Sequence, residues 1–428
     1  MRLGLCALAV GLISGVIFAA AGGERNRSLS ERFVKWTDHP AIRYHETNTS
    51  DPVARLIEDV AGGRVQLRRN GPSGYLRSVL DALHISVDSQ IMVFAKDSVQ
   101  ASRISATNPR ALFFNDAAVV GWVRGGFIEL ASQDPKQGVI FYSLKESIVG
   151  APSFARNDAG CLVCHYSFSS VGVPGMLARS FLQYNVTDRT PFEKRWGGWY
   201  VTGQGGGPHL GNIDLAHLAD VPPPAGTLNW SSLENKFDTG GYLAPQSDLV
   251  ALLVFEHQMQ MMNLLTRIGW EARVLDFRRG KIEEQIRLSG DDPSDQITPL
   301  DDAAQEVVDY MLFIEEAPLA GPIHGATEFA ARFASQGPRD HRGRSLRQLD
   351  LRTRLLAYPC SYLIYSAQFD QLPGSAKDAI YRRMWQVLSG QEHDPAYARL
   401  TPENRVAIVE ILRDTKPDLP SYFRSARR

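Results

Sequence analysis

Residues 157–170 read NDAGCLVCHYSFSS. Cys161 and Cys164 stand three apart, and His165 follows at once. The spacing C-x-x-C-H is the attachment signature of c-type haem. Two thiols add across the two vinyl groups of the porphyrin. Two intervening residues let one turn of chain present both sulfurs to one macrocycle edge, and the adjacent imidazole reaches the iron as proximal ligand. The competing chemistries lack their partners. A structural zinc site needs a second close pair of Cys or His ligands, whereas only Cys360 remains downstream and no H-x(3–5)-H pair follows. A thioredoxin-like dithiol needs a strand before it and a helix after it in a parallel unit, and the flanks here are DAG and YSFSS. A plain disulfide leaves His165 unexplained. One covalent haem c, with its iron on His165, is the expectation.

The other axial position has three candidates in the sequence, or it stays open. His209 sits in GGGPHLGN, where glycines allow close approach of backbone to a flat macrocycle. His257 lies in a long helical pattern on the face of Val250, Leu253, Val254, Met261, Leu264 and Ile268. An imidazole on an apolar stripe needs a partner, which is iron, a carbonyl or a carboxylate. Met176, in GVPGMLARS, follows His165 by 11 residues, short for crossing to the opposite face. His209 is the preferred metal ligand beside His165. In TPFEKRWGGWYVTG, Arg195 and Trp196 suit a haem pocket: the indole covers porphyrin, and the guanidinium pairs with a propionate. Arg179 could pair in the same way. Cys360, among apolar and aromatic neighbours in YPCSYLIYS, reads as a buried free thiol.

These residues need elements to position them. Residues 51–63 and 73–85 carry helical periodicity. QIMVFAK, RALFFN, AVVGWV, FIELAS and GVIFYSL are short β-branched and aromatic runs broken by Gly, Asn, Asp and Pro. They predict four or five strands of an antiparallel meander. Residues 151–246 are rich in loops and hold the motif. From Ser247 the pattern turns helical, opening on a long helix with Ser247 or Asp248 as N-cap. Further helices are expected near 300–316, 324–335, 344–357, 375–389 and 401–414. The fold class is therefore α+β: a β-meander in the N-terminal half, a loop-rich haem segment and a mainly α-helical C-terminal half. The segments are 1–21, 22–150, 151–246 and 247–428, and the last three could share one body.

The 428 residues suffice for a large core, and 46 basic against 47 acidic side chains give no electrostatic case for nucleic acid. Arg2, a charge-free run and Ala19-Ala20-Ala21 read as a secretory signal over 1–21. Uncleaved, the same run would anchor the chain in a membrane. Either way the body is expected outside the cytoplasmic membrane, periplasmic or secreted. Three of the four cysteines follow the signal, too few for a disulfide framework.

On Cys161, Cys164 and His165 the chain resembles c-type cytochromes. More widely, NPRALFFND, VVGWVRGG, RWGGWYVTG, GPHLGN, GPRDHRGRSL and YPCSYLIYS look like a group of large exported bacterial proteins with one cytochrome c motif. The resemblance implies haem and export and names no reaction. The chain departs from small class I cytochromes in its length and in lacking a clear axial methionine at their spacing. Three functions share the haem: electron transfer, haem-dependent oxidoreductase chemistry at an open or displaceable axial position, and a non-enzymatic sensor or assembly role. Electron transfer is the first expectation, with a redox partner protein or a small-molecule redox substrate as partner.

Overall fold

The meander forms where the short apolar runs predict it. The strands are β1 (Ile91–Val93), β2 (Arg110–Phe114), β3 (Ala118–Trp122), β4 (Ile128–Asp134) and β5 (Gly138–Lys145). Each pairs antiparallel with the next. β6 (Ser153–Arg156) and β7 (Trp199–Tyr200) add two edges, giving the order β6-β5-β4-β3-β2-β1-β7. The turn chemistry is local. Asn115 Oδ1 accepts from the Ala117 and Ala118 amides between β2 and β3. Asp134 Oδ1 accepts from the Lys136 and Gln137 amides between β4 and β5. A second, two-stranded sheet pairs β8 (Gly203–Gly205) with β9 (Ile323–Gly325).

This computed structural model describes residues 36–145, 152–180, 185–213, 229–289 and 300–424. The expected signal at 1–21 lies outside the described residues, as does His217. No helix among the described residues is long and apolar enough to cross a membrane.

Side chains alternate across the sheet, so its two faces carry different residues. Leu130, Ser132 and Tyr142 face α1 (Pro52–Ala61), with α2 (Leu76–Ala82) following. Asp51 ties the two layers. Its Oδ1 caps α1 by accepting from the Val53 and Ala54 amides, and its Oδ2 accepts from Tyr142 Oη at 2.7 Å. The opposite face carries Arg110, Leu112, Gly121, Glu129, Ala131 and Phe141. It is covered by α3 (Asp158–His165) and by α4 (Leu249–Ser289).

Helix α4 is the axis of the molecule. Asp248 caps it, accepting at Oδ1 from the Val250 and Ala251 amides. The same carboxylate accepts at Oδ2 from the amides of Ala326 and Thr327 after β9. From Leu249 to Leu275 nearly every side chain is buried, on all faces. A helix buried all round must satisfy its own polar side chains, which sets the roles of Glu256, His257 and Asn263 below. Around it lie α5 (Asp301–Met311), α6 (Phe329–Ser335), α7 (Ala367–Asp370), α8 (Gly374–Leu388), α9 (Pro402–Thr415) and α10 (Ser421–Arg424). The buried apolar side chains form one contiguous cluster from Ile42 to Phe423, so the meander, the motif segment and the helical half share a core.

One expected helix is absent among the described residues: 344–357 is turns with an isolated bridge between Leu349 and Leu356. Asp340 Oδ1 takes the Arg342 and Arg344 amides, and Asp350 Oδ1 takes those of Arg352 and Thr353. Aspartates that bond nearby amides in this way compete with helical bonding.

Candidate haem site

Helix α3 is eight residues long, and the motif fills its second half. The Asn157 amide donates to the Phe141 carbonyl of β5 at 2.8 Å, fixing the helix against the sheet. Arg156 Nε donates to Asp158 in the first turn at 2.6 Å. Cys161 lies three residues before Cys164 and four before His165, so all three share one helix face. Both thiols are free; Cys161 is half-buried and Cys164 exposed. Burial, and then the nearby Glu129 and Asp158 carboxylates, push the Cys161 thiol up to about 11. A redox dithiol needs a lowered thiol pKa, so the environment opposes a thioredoxin-like role.

His165 is held by one atom. Its Nδ1 lies 2.8 Å from the Gly175 carbonyl oxygen. A carbonyl can only accept, so Nδ1 carries the proton and Nε2 keeps its lone pair. Burial holds the imidazole pKa below its ordinary value, which keeps the ring neutral. Its ring packs against Phe141, with centroids 4.8 Å apart. The loop that returns to Gly175 is tied by Ser170 Oγ, which donates to the Val173 carbonyl at 2.8 Å and accepts from the Ser167 amide at 3.0 Å. Asn263 of α4 then clamps the next residue, accepting from the Met176 amide at 3.1 Å and donating to its carbonyl at 2.8 Å. A Cβ on Gly175 would lie 2.2 Å from Asn263 Oδ1. A side chain there would displace the Asn263 carboxamide that clamps Met176.

The motif opens onto a cavity of about 420 Å3 between α3 and the sheet face. That size is ordinary for a small-molecule or cofactor pocket, roughly 300–1,000 Å3. Leu112, Val119, Ala131, Phe141, Met176 and Phe255 give it an apolar lining, with Cys161, Cys164 and His165 at one wall. Gly121 sits between Leu112 and Glu129 in adjacent registers, and a Cβ there would crowd both, at 3.1 and 3.2 Å. Val99 and Val163 are 57% and 78% exposed, which makes the mouth apolar. One polar group lies inside: Arg110 Nη1 donates to Glu129 Oε2 at 2.9 Å, and Ser98 Oγ donates to Glu129 Oε1 at 2.9 Å. Two thiols, a neutral imidazole with a free lone pair and an apolar slot are a donor set that fits covalent haem.

Of the residues expected at the site, Cys161, Cys164, His165 and Met176 meet at this cavity. Arg195, Trp196 and His209 do not line it; they form a separate buried cluster. Its centre is Glu256, which accepts from Arg195 Nη1 at 2.9 Å and from Trp196 Nε1. The His209 ring lies 5.2 Å from that of Trp196, its Nδ1 accepts from the Gly211 amide, and burial lowers its pKa to about 4. The physical reason is helical rotation. Phe255 reaches the cavity, and its neighbour Glu256, about 100° round the helix, points elsewhere and draws the arginine and indole to itself. Arg195 thus serves a protein carboxylate.

His257 is also committed. Its Nδ1 lies 2.8 Å from Asp188 Oδ2 and its Nε2 2.8 Å from Ser361 Oγ. Phe313 and Tyr310 stack on the ring. The order Asp-His-Ser is that of a hydrolytic triad, but Ser361 and His257 have no exposed surface and Ser361 Oγ also accepts from the Leu363 amide. The arrangement satisfies a buried helix and leaves no room for a substrate. Among the described residues, Asp340, His341 and Asp414 bring ligand atoms within 4.8 Å of one another. The buried Asp340 is already bound by Arg344 at 2.7 Å and the exposed His341 pairs with Asp414, which leaves the group a set of ion pairs. Cys360 is fully buried and burial pushes its thiol up to about 12, as expected of a core residue.

Sequence reasoning missed Arg110, Glu129, Gly175 and Asn263. Arg110 and Glu129 carried a usable signal: each is a charge inside an otherwise apolar strand run. Compared with protein-family models, curated proteins and solved structures, the chain matches none of them.

Proposed function

We propose that this chain is an exported monohaem c-type protein that transfers electrons. Cys161 and Cys164 hold the haem covalently, and His165 binds its iron. The observation that carries the reading is the 2.8 Å contact between His165 Nδ1 and the Gly175 carbonyl, on the same helix face as both thiols. Such an outer partner fixes the tautomer and orientation of a ligating histidine and raises its basicity. When bound, the haem supplies a one-electron iron couple. The sheet face and α4 wall the slot on one side, and the apolar mouth at Val99 and Val163, beside exposed Lys96, offers a redox partner protein a place to dock. The proposed location is the periplasm or the exterior.

A second reading, a haem-dependent oxidoreductase, is favoured by one observation: the Arg110–Glu129–Ser98 group inside the cavity, which a pure electron shuttle does not need.

The full chain, exported in a host that matures c-type haem, tests the first reading. Haem should stay with the polypeptide through denaturing electrophoresis, and Cys161→Ser with Cys164→Ser should abolish that stain. A folded, exported protein without covalent haem would overturn it.

A further inference from the structure

We propose that the cavity admits a small neutral oxygen- or nitrogen-containing ligand, of the hydrogen peroxide or hydroxylamine class, beside a haem that Cys161, Cys164 and His165 would hold, where Arg110 and Glu129 hydrogen-bond it. The inference rests on the haem reading above and says what binds at that same site.

Two observations point to an externally filled position. First, His165 is the one histidine among the described residues lining the cavity. His209 and His257 are buried elsewhere with partners of their own. Met176 does line the cavity, but it directly follows Gly175, whose carbonyl holds His165 Nδ1. Neighbouring Cα atoms are about 3.8 Å apart, so the Met176 backbone lies beside the carbonyl that holds the imidazole. That backbone is clamped there at both polar atoms by Asn263.

Second, the polar group inside is built. β2 and β4 each present one charged residue to this face in the midst of apolar ones, with Gly121 of β3 between them. A glycine there lets the Arg110 and Glu129 side chains meet over the middle strand at 2.9 Å, and both stay 19% exposed. Ser98 holds the second carboxylate oxygen. Burying such a pair in an apolar wall is costly unless its remaining donors and acceptors find use. The pair is neutral as a unit, and it sets a guanidinium donor beside a carboxylate acceptor. A small neutral molecule that both accepts and donates matches that surface. A propionate does not, because Glu129 already neutralises Arg110 and would repel a second carboxylate. A cation suited to a propionate stands at the rim instead, where Lys96 lines the cavity and is exposed.

The test uses the full-length protein carrying covalent haem, and its readout is optical and infrared. Carbon monoxide on the reduced form and hydroxylamine on the oxidised form should each shift the Soret band. Arg110→Leu should weaken hydroxylamine about tenfold, the loss of one charge-assisted hydrogen bond, and should move the C–O stretch. Arg110→Lys, which keeps a charged donor and guards against a misfolded leucine variant, should recover part of the affinity. Missing covalent haem would overturn the parent reading and with it this one. Covalent haem that ignores both ligands would overturn this inference alone. Binding that is the same in Arg110→Leu as in the wild type would remove Arg110 from the site.

Discussion

At the residue scale, the same side-chain type takes opposite roles according to the second atom it meets. His165 gives Nδ1 to a carbonyl and keeps Nε2 for the cavity. His257 gives both nitrogens to side chains and keeps nothing. Ser361→Ala should therefore leave any haem spectrum unchanged. It should lower unfolding free energy by about 1–3 kcal/mol, because His257 Nε2 loses its partner in a sealed site. Urea unfolding measures the loss, and the wild type should stay unlabelled by a fluorophosphonate; labelling at Ser361 would restore the hydrolytic alternative. Asn263→Ala is predicted to cost about 2–4 kcal/mol, since the Met176 amide and carbonyl both lose partners inside the core. The same variant should also loosen Gly175 and broaden the spectrum of bound haem, whereas Ser361→Ala should not.

At the element scale, the meander and the long helix were legible because each rests on a local signal. Strand runs are short, rich in β-branched and aromatic residues and end at turn residues, and Asp248 stands where an N-cap is expected. β6 was not legible, nor was the place of the aromatic strand β7 in this sheet. Each is four residues or fewer and gains its place only by pairing with a strand already formed. The candidate site divides in the same way. Cys161, Cys164 and His165 are one local motif, readable as a string. Arg110, Glu129 and Gly121 come together only through sheet register, which no local pattern encodes. The expected Arg195, Trp196 and His209 pocket failed for the converse reason. Proximity in sequence suggested one site, and a distant residue, Glu256, claimed two of its members. Register makes a prediction of its own. Gly121→Leu should fill the slot between Leu112 and Glu129 and cut covalent haem loading several-fold. The sheet itself should survive, because both neighbours on β3 keep their ladder partners. Far-UV circular dichroism with a haem stain separates the two effects; full loading would mean that the cavity is not the haem slot.

At the scale of the whole molecule, burying α4 on every side places carboxyls where water cannot reach them. Burial pushes Glu256 up to about 8 despite Arg195 and Trp196 beside it. Burial likewise pushes Glu316 up to about 7, although its Oε1 accepts from the Leu355 amide. In the unfolded chain both carboxyls ionise near 4.5. Between that pH and the folded values the native state holds protons that the unfolded state has released, so stability falls as pH rises. The contribution is full below about 4.5 and gone above about 8. His209 acts with the opposite sign: held to about 4 by burial, it is neutral when folded and protonated when unfolded up to its ordinary 6.5. One rising contribution therefore offsets part of two falling ones below about pH 6.5, and the decline should be steeper above it, where the histidine no longer offsets and the buried carboxyls still titrate. Chemical unfolding followed from pH 5 to pH 9 measures this slope. Glu316→Gln, which keeps an acceptor for the Leu355 amide and removes the titration, should flatten the part below about 7 and leave the part between about 7 and 8 to Glu256. A slope unchanged by that variant would mean that Glu316 is already ionised in its buried site, with Arg399 rather than a proton as its counter-charge.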